Sequence, residues 1–323
     1  MSMIAKRRRR RTGGFTLIEL LVVVSIIALL ISILLPSLSR AREQAKLTVC
    51  SANMNGITKV LLTYLFDLNK IPLYAMRDAN GNVLGWASWT YGGWSGRNRE
   101  HWEGYFQGFA NVQTSERPLT VYALKGGQIA DQESLVPDDW PDANTWPTEE
   151  APVYKCPSDT ISAQWQWSQG PDSTQLSAYD DVGTSYQLNF SWWEQYYPSQ
   201  CPPGTEDCFE YATDVLGPQL FLKQMTRHGS RFTAIFEDPC DYGLNAGLGL
   251  GGSGIQTMGF HGRFSKHVAA YLDGHAGYRL MDTRHLHDSK PNPPGPRHSD
   301  ESVVGGWTAC DEDLPHVSGG RHG

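Results

Sequence analysis

The 21 residues from Phe15 to Leu35 carry a single ionisable side chain, Glu19, and everything else about this chain must accommodate that run. As a helix rising about 1.5 Å per residue it spans roughly 30 Å, the thickness of a bilayer's hydrocarbon core. A secretory signal peptide has a shorter apolar region, about 7–15 residues, followed by a small-residue cleavage site. The stretch "LLISILLPSLSRA" supplies neither, so the segment is expected to stay with the protein as a single membrane pass. Lys6 and Arg7 to Arg11 stand directly before it. By the positive-inside rule they hold the N-terminus in the cytoplasm and leave the residues after Pro36 on the far side, in a bacterium the periplasmic face of the inner membrane.

The residues at the start of this run carry a resemblance. Gly14-Phe15-Thr16-Leu17-Ile18-Glu19 resembles the prepilin processing site of type IV pilins and type II secretion pseudopilins. The resemblance implies that residues 1–14 are a basic leader, that prepilin peptidase cuts after Gly14, and that the new amine of Phe15 is methylated. It also implies a helix-kinking role for Pro36, and partners that are copies of the chain and related pilins. A charged carboxylate in hydrocarbon costs several kcal/mol unless it finds a partner. In a bundle of such helices the amine of a neighbour's Phe15 supplies one, which would make Glu19 a register device for assembly. The competing reading is a plain signal anchor, with Glu19 facing another protein or protonated.

Beyond Pro36, Leu38, Ala41, Ala45, Val49, Ala52, Ile57, Val60, Leu61, Tyr64, Leu65 and Leu68 recur at three- and four-residue spacings, which predicts a continuing helix. It should end in "DLNKIP", with bends at Pro36 and Gly56. From Phe15 to Leu68 that is 54 residues, about 80 Å if continuous. The expected domains are the leader 1–14, the helix 15–70 with its transmembrane part 15–35, a head 71–285, and a polar, proline-rich tail 286–323. In the head, short aromatic and β-branched segments alternate with Gly, Pro, Asn and Asp clusters, which predicts an antiparallel sheet with long loops. "VLGWASWTY", "RFTAIFED" and "HVAAYLDGHAGYRL" are the strand candidates, the last a hairpin turned at Asp273-Gly274. The fold class is α+β: a pilin-like long helix packed on an antiparallel head.

Cys156-Pro157-Ser158-Asp159, "TSYQLNF" at Thr184 to Phe190, and a histidine ahead of Asp273-Gly274 resemble the heads of a planctomycete subfamily of prepilin-like proteins, the DUF1559 group. That group usually sets about nine residues between the histidine and the Asp-Gly. Here eleven lie between His261 and Asp273, and five between His267 and Asp273, so either histidine can correspond.

The composition, 40% hydrophobic and 11% aromatic over 323 residues, is ample for a globular core. Removing the leader's six positive charges takes the net charge from −7 to −13. An acidic body argues against nucleic acid as a partner. Six cysteines, at 50, 156, 201, 208, 240 and 310, suit an oxidising compartment. No CxxC pair occurs, which argues against tetrahedral zinc. Cys201 and Cys208 enclose a loop short enough to staple, and a bond between Cys50 and Cys156 would pin the helix to the head. Other connectivities, and free thiols, stay open.

Signals for chemistry are weak. Gly249 to Gly254 fits GxGxxG without a flanking strand and helix, so it reads as a glycine-rich loop. His285, His287 and Asp288 lie in the polar tail. Glu237, Asp238 and Asp241 offer oxygens for calcium, without a regular ligand loop. No GxSxG elbow is present. Trp86, Trp89, Trp94 and Trp102 could stack on the sugar rings of a polysaccharide, although core or subunit packing is the stronger reading of such residues. The expectation is a structural filament subunit, not an enzyme and without a cofactor. The alternative is a membrane-anchored binding module, for glycans, that uses the pilin export route without forming a filament.

Overall fold

The structure, a computed structural model, describes residues 16–94, 96, 112–123, 151–164, 176–190, 204–205, 207–245 and 257–281. The chain divides into two compact units, Met1–Ala45 and Lys46–Gly323. Helix α1, Leu17–Leu68, runs through the boundary without interruption and contains both Pro36 and Gly56.

In the first unit every residue from Thr16 to Arg42 is exposed, apolar ones included. Ser25, Ser32 and Ser37 turn their hydroxyls back onto the carbonyls of Leu21, Leu29 and Leu34 at 2.7–2.9 Å, so these polar groups are satisfied within the helix itself. Among the described residues, α1 is the one helix long and apolar enough to cross a membrane.

In the second unit α1 changes character. Cys50, Met54, Ile57, Leu61, Tyr64 and Leu65 are buried at alternating three- and four-residue spacings and join the main core. Burying each such Met, Ile or Leu side chain contributes about 1.5–3 kcal/mol. The helix stops where the sequence predicts: Asn69 adopts a left-handed φ of 51° and donates its N–H to the Leu65 carbonyl.

A two-stranded ribbon follows, β1 Ala75–Arg77 paired antiparallel with β2 Val83–Trp86. Asp78 shapes its turn by accepting the N–H groups of Asn80 and Asn82. Of "VLGWASWTY" only the first four residues form a strand; the rest is turn and loop. The principal sheet is antiparallel and four-stranded, in the order β3 Tyr186–Leu188, β4 Thr233–Glu237, β5 Lys266–Tyr271, β6 Ala276–Leu280. Strand β4 is buried at every position, as a central strand covered on both faces must be. The β5–β6 hairpin turns at Asp273-Gly274, where Gly274 takes a φ of +86° that a side chain would strain. Helices α2 Pro118–Ala123, α3 Ala178–Val182, α4 Gly217–His228 and α5 Asp238–Asn245 accompany the sheets, together with single turns at Thr114–Glu116, Pro152–Tyr154 and Cys208–Glu210 and a π-helical stretch Tyr211–Leu216 that leads into α4. The architecture is thus α+β, a long N-terminal helix followed by antiparallel sheets.

Of the two readings of the tryptophans, the described positions follow the core one. Trp94 is 1% exposed, with its indole N–H donating to the Tyr179 carbonyl at 3.0 Å, and Trp89 is 6% exposed. The Trp89 backbone carbonyl also helps to hold buried Arg117, whose guanidinium donates to the carbonyls of Val112, Trp89, Gly92 and Val182. Half-buried Trp86 packs against Phe209 at a ring separation of 5.3 Å. The stretch is apolar enough to be needed as core, which leaves neither face of Trp89 or Trp94 for a ligand. Trp102 lies outside the described residues.

Candidate functional site

At the N-terminal site Gly14 and Phe15 lie outside the described residues. Glu19 sits in the first turn of α1 and is turned back on the start of the helix. Its carboxylate accepts the Thr16 backbone N–H at 2.8 Å and the Thr16 hydroxyl at 2.9 Å, while the Glu19 N–H donates to that hydroxyl at 3.3 Å. This is a reciprocal cap, which lets a lone chain satisfy the carboxylate before any partner arrives.

A second site lies inside the head. Four elements deliver it: Cys50 from α1, Cys156 from the loop before α3, Glu237 from the last position of β4, and His261 from the turn before β5. Their ligand-capable atoms all lie within 4.8 Å of one another. Cys50 Sγ is 3.9 Å from Glu237 Oε1, His261 Nε2 is 3.5 Å from the same oxygen, and Cys156 Sγ is 3.7 Å from His261 Nε2. Around them, the Phe260 N–H donates to Glu237 Oε2 at 3.2 Å, and His267 Nδ1 stands 3.4 Å from that oxygen. The other ring nitrogen of His267 is 3.4 Å from the Thr257 hydroxyl. Gly259 makes the approach possible: a Cβ there would meet the Lys266 carbonyl at 2.2 Å and Glu237 Oε2 at 2.9 Å. Burial pushes the Cys50 thiol well above its ordinary range, whereas the neighbouring Cys50 thiol draws Cys156 down to about 7.

Both candidate histidines therefore converge on one carboxylate, His261 on Oε1 and His267 on Oε2. The structure brings Cys50 and Cys156 together as free thiols, and Cys240 is also free. Cys208 is disulfide-bonded, and Cys201 lies outside the described residues.

The three acids named for calcium do not converge on one point in the structure. Glu237 and Asp238 are consecutive at a strand-to-helix junction, so their side chains leave the backbone in different directions. Asp238 accepts from the Ala163 N–H at 2.7 Å and from the side-chain amides of Gln164 and Gln187 at 2.6 and 2.7 Å. Asp241 shares the Gln164 amide at 3.4 Å. Neither aspartate belongs to the group that holds Glu237. Burial raises Asp238 to about 6. Asp159 of the Cys-Pro-Ser-Asp segment is raised by burial to about 8, although it accepts from the Ala178 and Tyr179 N–H groups and from the Ser185 hydroxyl. That carboxylate fastens the segment to α3 and to the start of β3.

Sequence reasoning named Cys50, Cys156, Glu237 and His261 separately, two for a disulfide, one for calcium and one for a family resemblance. It did not join them. The sequence offers no short ligand spacing that would have done so.

Residues 9–35 match the family model described as the prokaryotic N-terminal methylation motif. Curated relatives share this region. The type IV wide pilus major component PilA4 of Thermus thermophilus is 47% identical over 60 residues, 19% of this chain and 46% of the relative. The type II secretion system core protein G of Pseudomonas aeruginosa is 38% identical over 60 residues, 19% of this chain and 42% of the relative. The prepilin peptidase-dependent protein A of Clostridium perfringens is 32% identical over 79 residues, 24% of this chain and 56% of the relative. The chain thus spans about half the length of the curated relatives it matches. No solved structure matches it. In its N-terminal segment the chain is type IV pilin-like, with a membrane-anchoring apolar helix.

Proposed function

We propose that the chain is a prepilin-like structural subunit. It is cleaved after Gly14 by prepilin peptidase, methylated on Phe15, and assembled through α1 with copies of itself and related pilins into a type IV pilus-like or type II secretion pseudopilus filament. The observation that carries this reading is the methylation motif joined to an apolar half-helix that has every side chain exposed and one acid, Glu19, near its start. An exposed apolar helix of this length needs lipid, or other helices like itself, around it. Before processing the segment is a single pass of the inner membrane, with a cytoplasmic N-terminus and a periplasmic head. After assembly the new amine of Phe15 replaces Thr16 as the partner of a neighbour's Glu19. The head segments Cys156 to Asp159 and Thr184 to Phe190 support placing it in the DUF1559-like subfamily.

The test is intact-mass analysis of protein extracted from its native membrane, followed by crosslinking between neighbouring helices. A chain beginning at methylated Phe15, crosslinked along α1, is the expected result. A chain beginning at Met1 or Met3, without crosslinks, would sink the proposal and make the segment a plain anchor.

A further inference from the structure

The buried tetrad in the head has the donor set and spacing of a metal centre, and we propose that Cys50, Cys156, Glu237 and His261 bind one zinc ion. Zinc takes thiolate, imidazole and carboxylate ligands at about 2.0–2.3 Å in a tetrahedron, and such a tetrahedron has edges of about 3.3–3.8 Å. The three measured separations, 3.5, 3.7 and 3.9 Å, lie on those edges or just beyond them. All four ligand atoms lie within 4.8 Å of one another, so the set can contract onto one shared centre.

Charge points the same way. Glu237 is fully buried, and among the described residues the groups within ion-pairing distance of it are the two imidazoles. A buried carboxylate beside two thiols is costly unless a cation sits among them. A disulfide between Cys50 and Cys156 would tie two of the four donors and leave Glu237 and His261 without a shared cation.

The surroundings fit as well. Metal-bound carboxylates are held by groups behind them. Here the Phe260 N–H and His267 lie at Oε2, leaving Oε1 toward the two sulfurs and His261. The Nδ1 of His267 is buried and stands 3.4 Å from Glu237 Oε2. His261 is steadied by an edge-to-face contact with Tyr278 at 5.6 Å. Four protein donors fill a tetrahedral shell and leave no open coordination position, as in a structural site. The ion joins the head-side half of α1 to the Cys156 loop, the end of β4 and the turn before β5. This assignment stands apart from the filament reading, because it concerns only the head.

The experiment uses the full-length chain, extracted in detergent under mild reducing conditions without chelator. Elemental analysis should find about one zinc per chain. Exchange with Co²⁺ should give a thiolate-to-cobalt charge-transfer band together with the strong visible absorption of tetrahedral coordination. Cys156→Ser should lose roughly half of the charge-transfer intensity, one thiolate of two. His267→Gln, which touches no metal, should keep the stoichiometry at saturating zinc but weaken affinity about 10–100-fold. Wild-type protein with native circular dichroism that retains no zinc after incubation with excess Zn²⁺ would overturn the proposal. So would a Cys50–Cys156 disulfide in protein taken directly from the membrane, or a cobalt spectrum unchanged by Cys156→Ser.

Discussion

The two halves of α1 are one unbroken helix with opposite habits. Up to Arg42 every described side chain is exposed, and the apolar surface has no face, only a circumference. From Cys50 to Leu65 the apolar side chains form a stripe that is buried. Between them stand Arg40, Arg42, Glu43 and Lys46, a charged collar such as a helix carries where it leaves hydrocarbon. Among the described residues nothing covers the first half, and an apolar surface of this kind is at ease in lipid or against other helices. The second has already spent its apolar face on the head. Helical propensity does not distinguish them; the arrangement of apolar residues around the axis does.

The largest expected effect breaks the comparison at its first half. Glu19→Ala should leave membrane insertion intact and abolish filament assembly, read by shearing and electron microscopy alongside membrane fractionation. Normal filaments from that variant would remove Glu19 from the assembly mechanism. At the second half, Leu61→Ala should cost the head about 2–5 kcal/mol, because Leu61 is fully buried in the core. Leu30→Ala, in the exposed half, should leave the head's melting temperature unchanged. Equal effects from the two substitutions would mean that the halves are not independent.

A third test sets pH against the buried carboxylates. Asp238 and Asp159 are raised in the folded state to about 6 and about 8, so the folded protein holds protons that the unfolded chain has released. Their contribution is fully present below about pH 4, the ordinary carboxylate value, and is lost as pH rises through about 6 and then about 8. Thermal melts of the full chain in detergent should show this downward slope, and Asp238→Asn should flatten its lower part by an amount on the order of 2–3 kcal/mol. The smallest effect belongs to the exposed ion pair between Lys70 and Asp214, just past the end of α1. Lys70→Ala should cost less than about 1 kcal/mol, and less still in high salt.

What the sequence revealed was local. The apolar run, the helix end at Asn69, strand β4 and the Asp273-Gly274 hairpin each depend on neighbours a few residues away, and each is where the pattern put it. The head's polar interior was different. Cys50 and Glu237 are 187 positions apart, and Cys156 and His261 are 105 apart, so only the folded sheet brings their side chains together. For Trp89 and Trp94 core packing was the stronger reading, and both are buried. Whether an aromatic is platform or core depends on what covers it, which no periodicity announces.

The edges of the four-stranded sheet bear on how such heads tolerate crowding. On one side β3 is only three residues long and is closed off by the Leu188 N–H donating to the Ser88 carbonyl at 3.0 Å. On the other, β6 runs out into exposed Arg279 and Leu280, placing a fixed positive charge where a second sheet would have to dock. A short sealed edge and a charged open one are poor templates for strand-to-strand zippering. In the filament proposed above, heads held close together would therefore lie side by side as separate bodies, with cohesion left to the helices rather than to an amyloid-like seam.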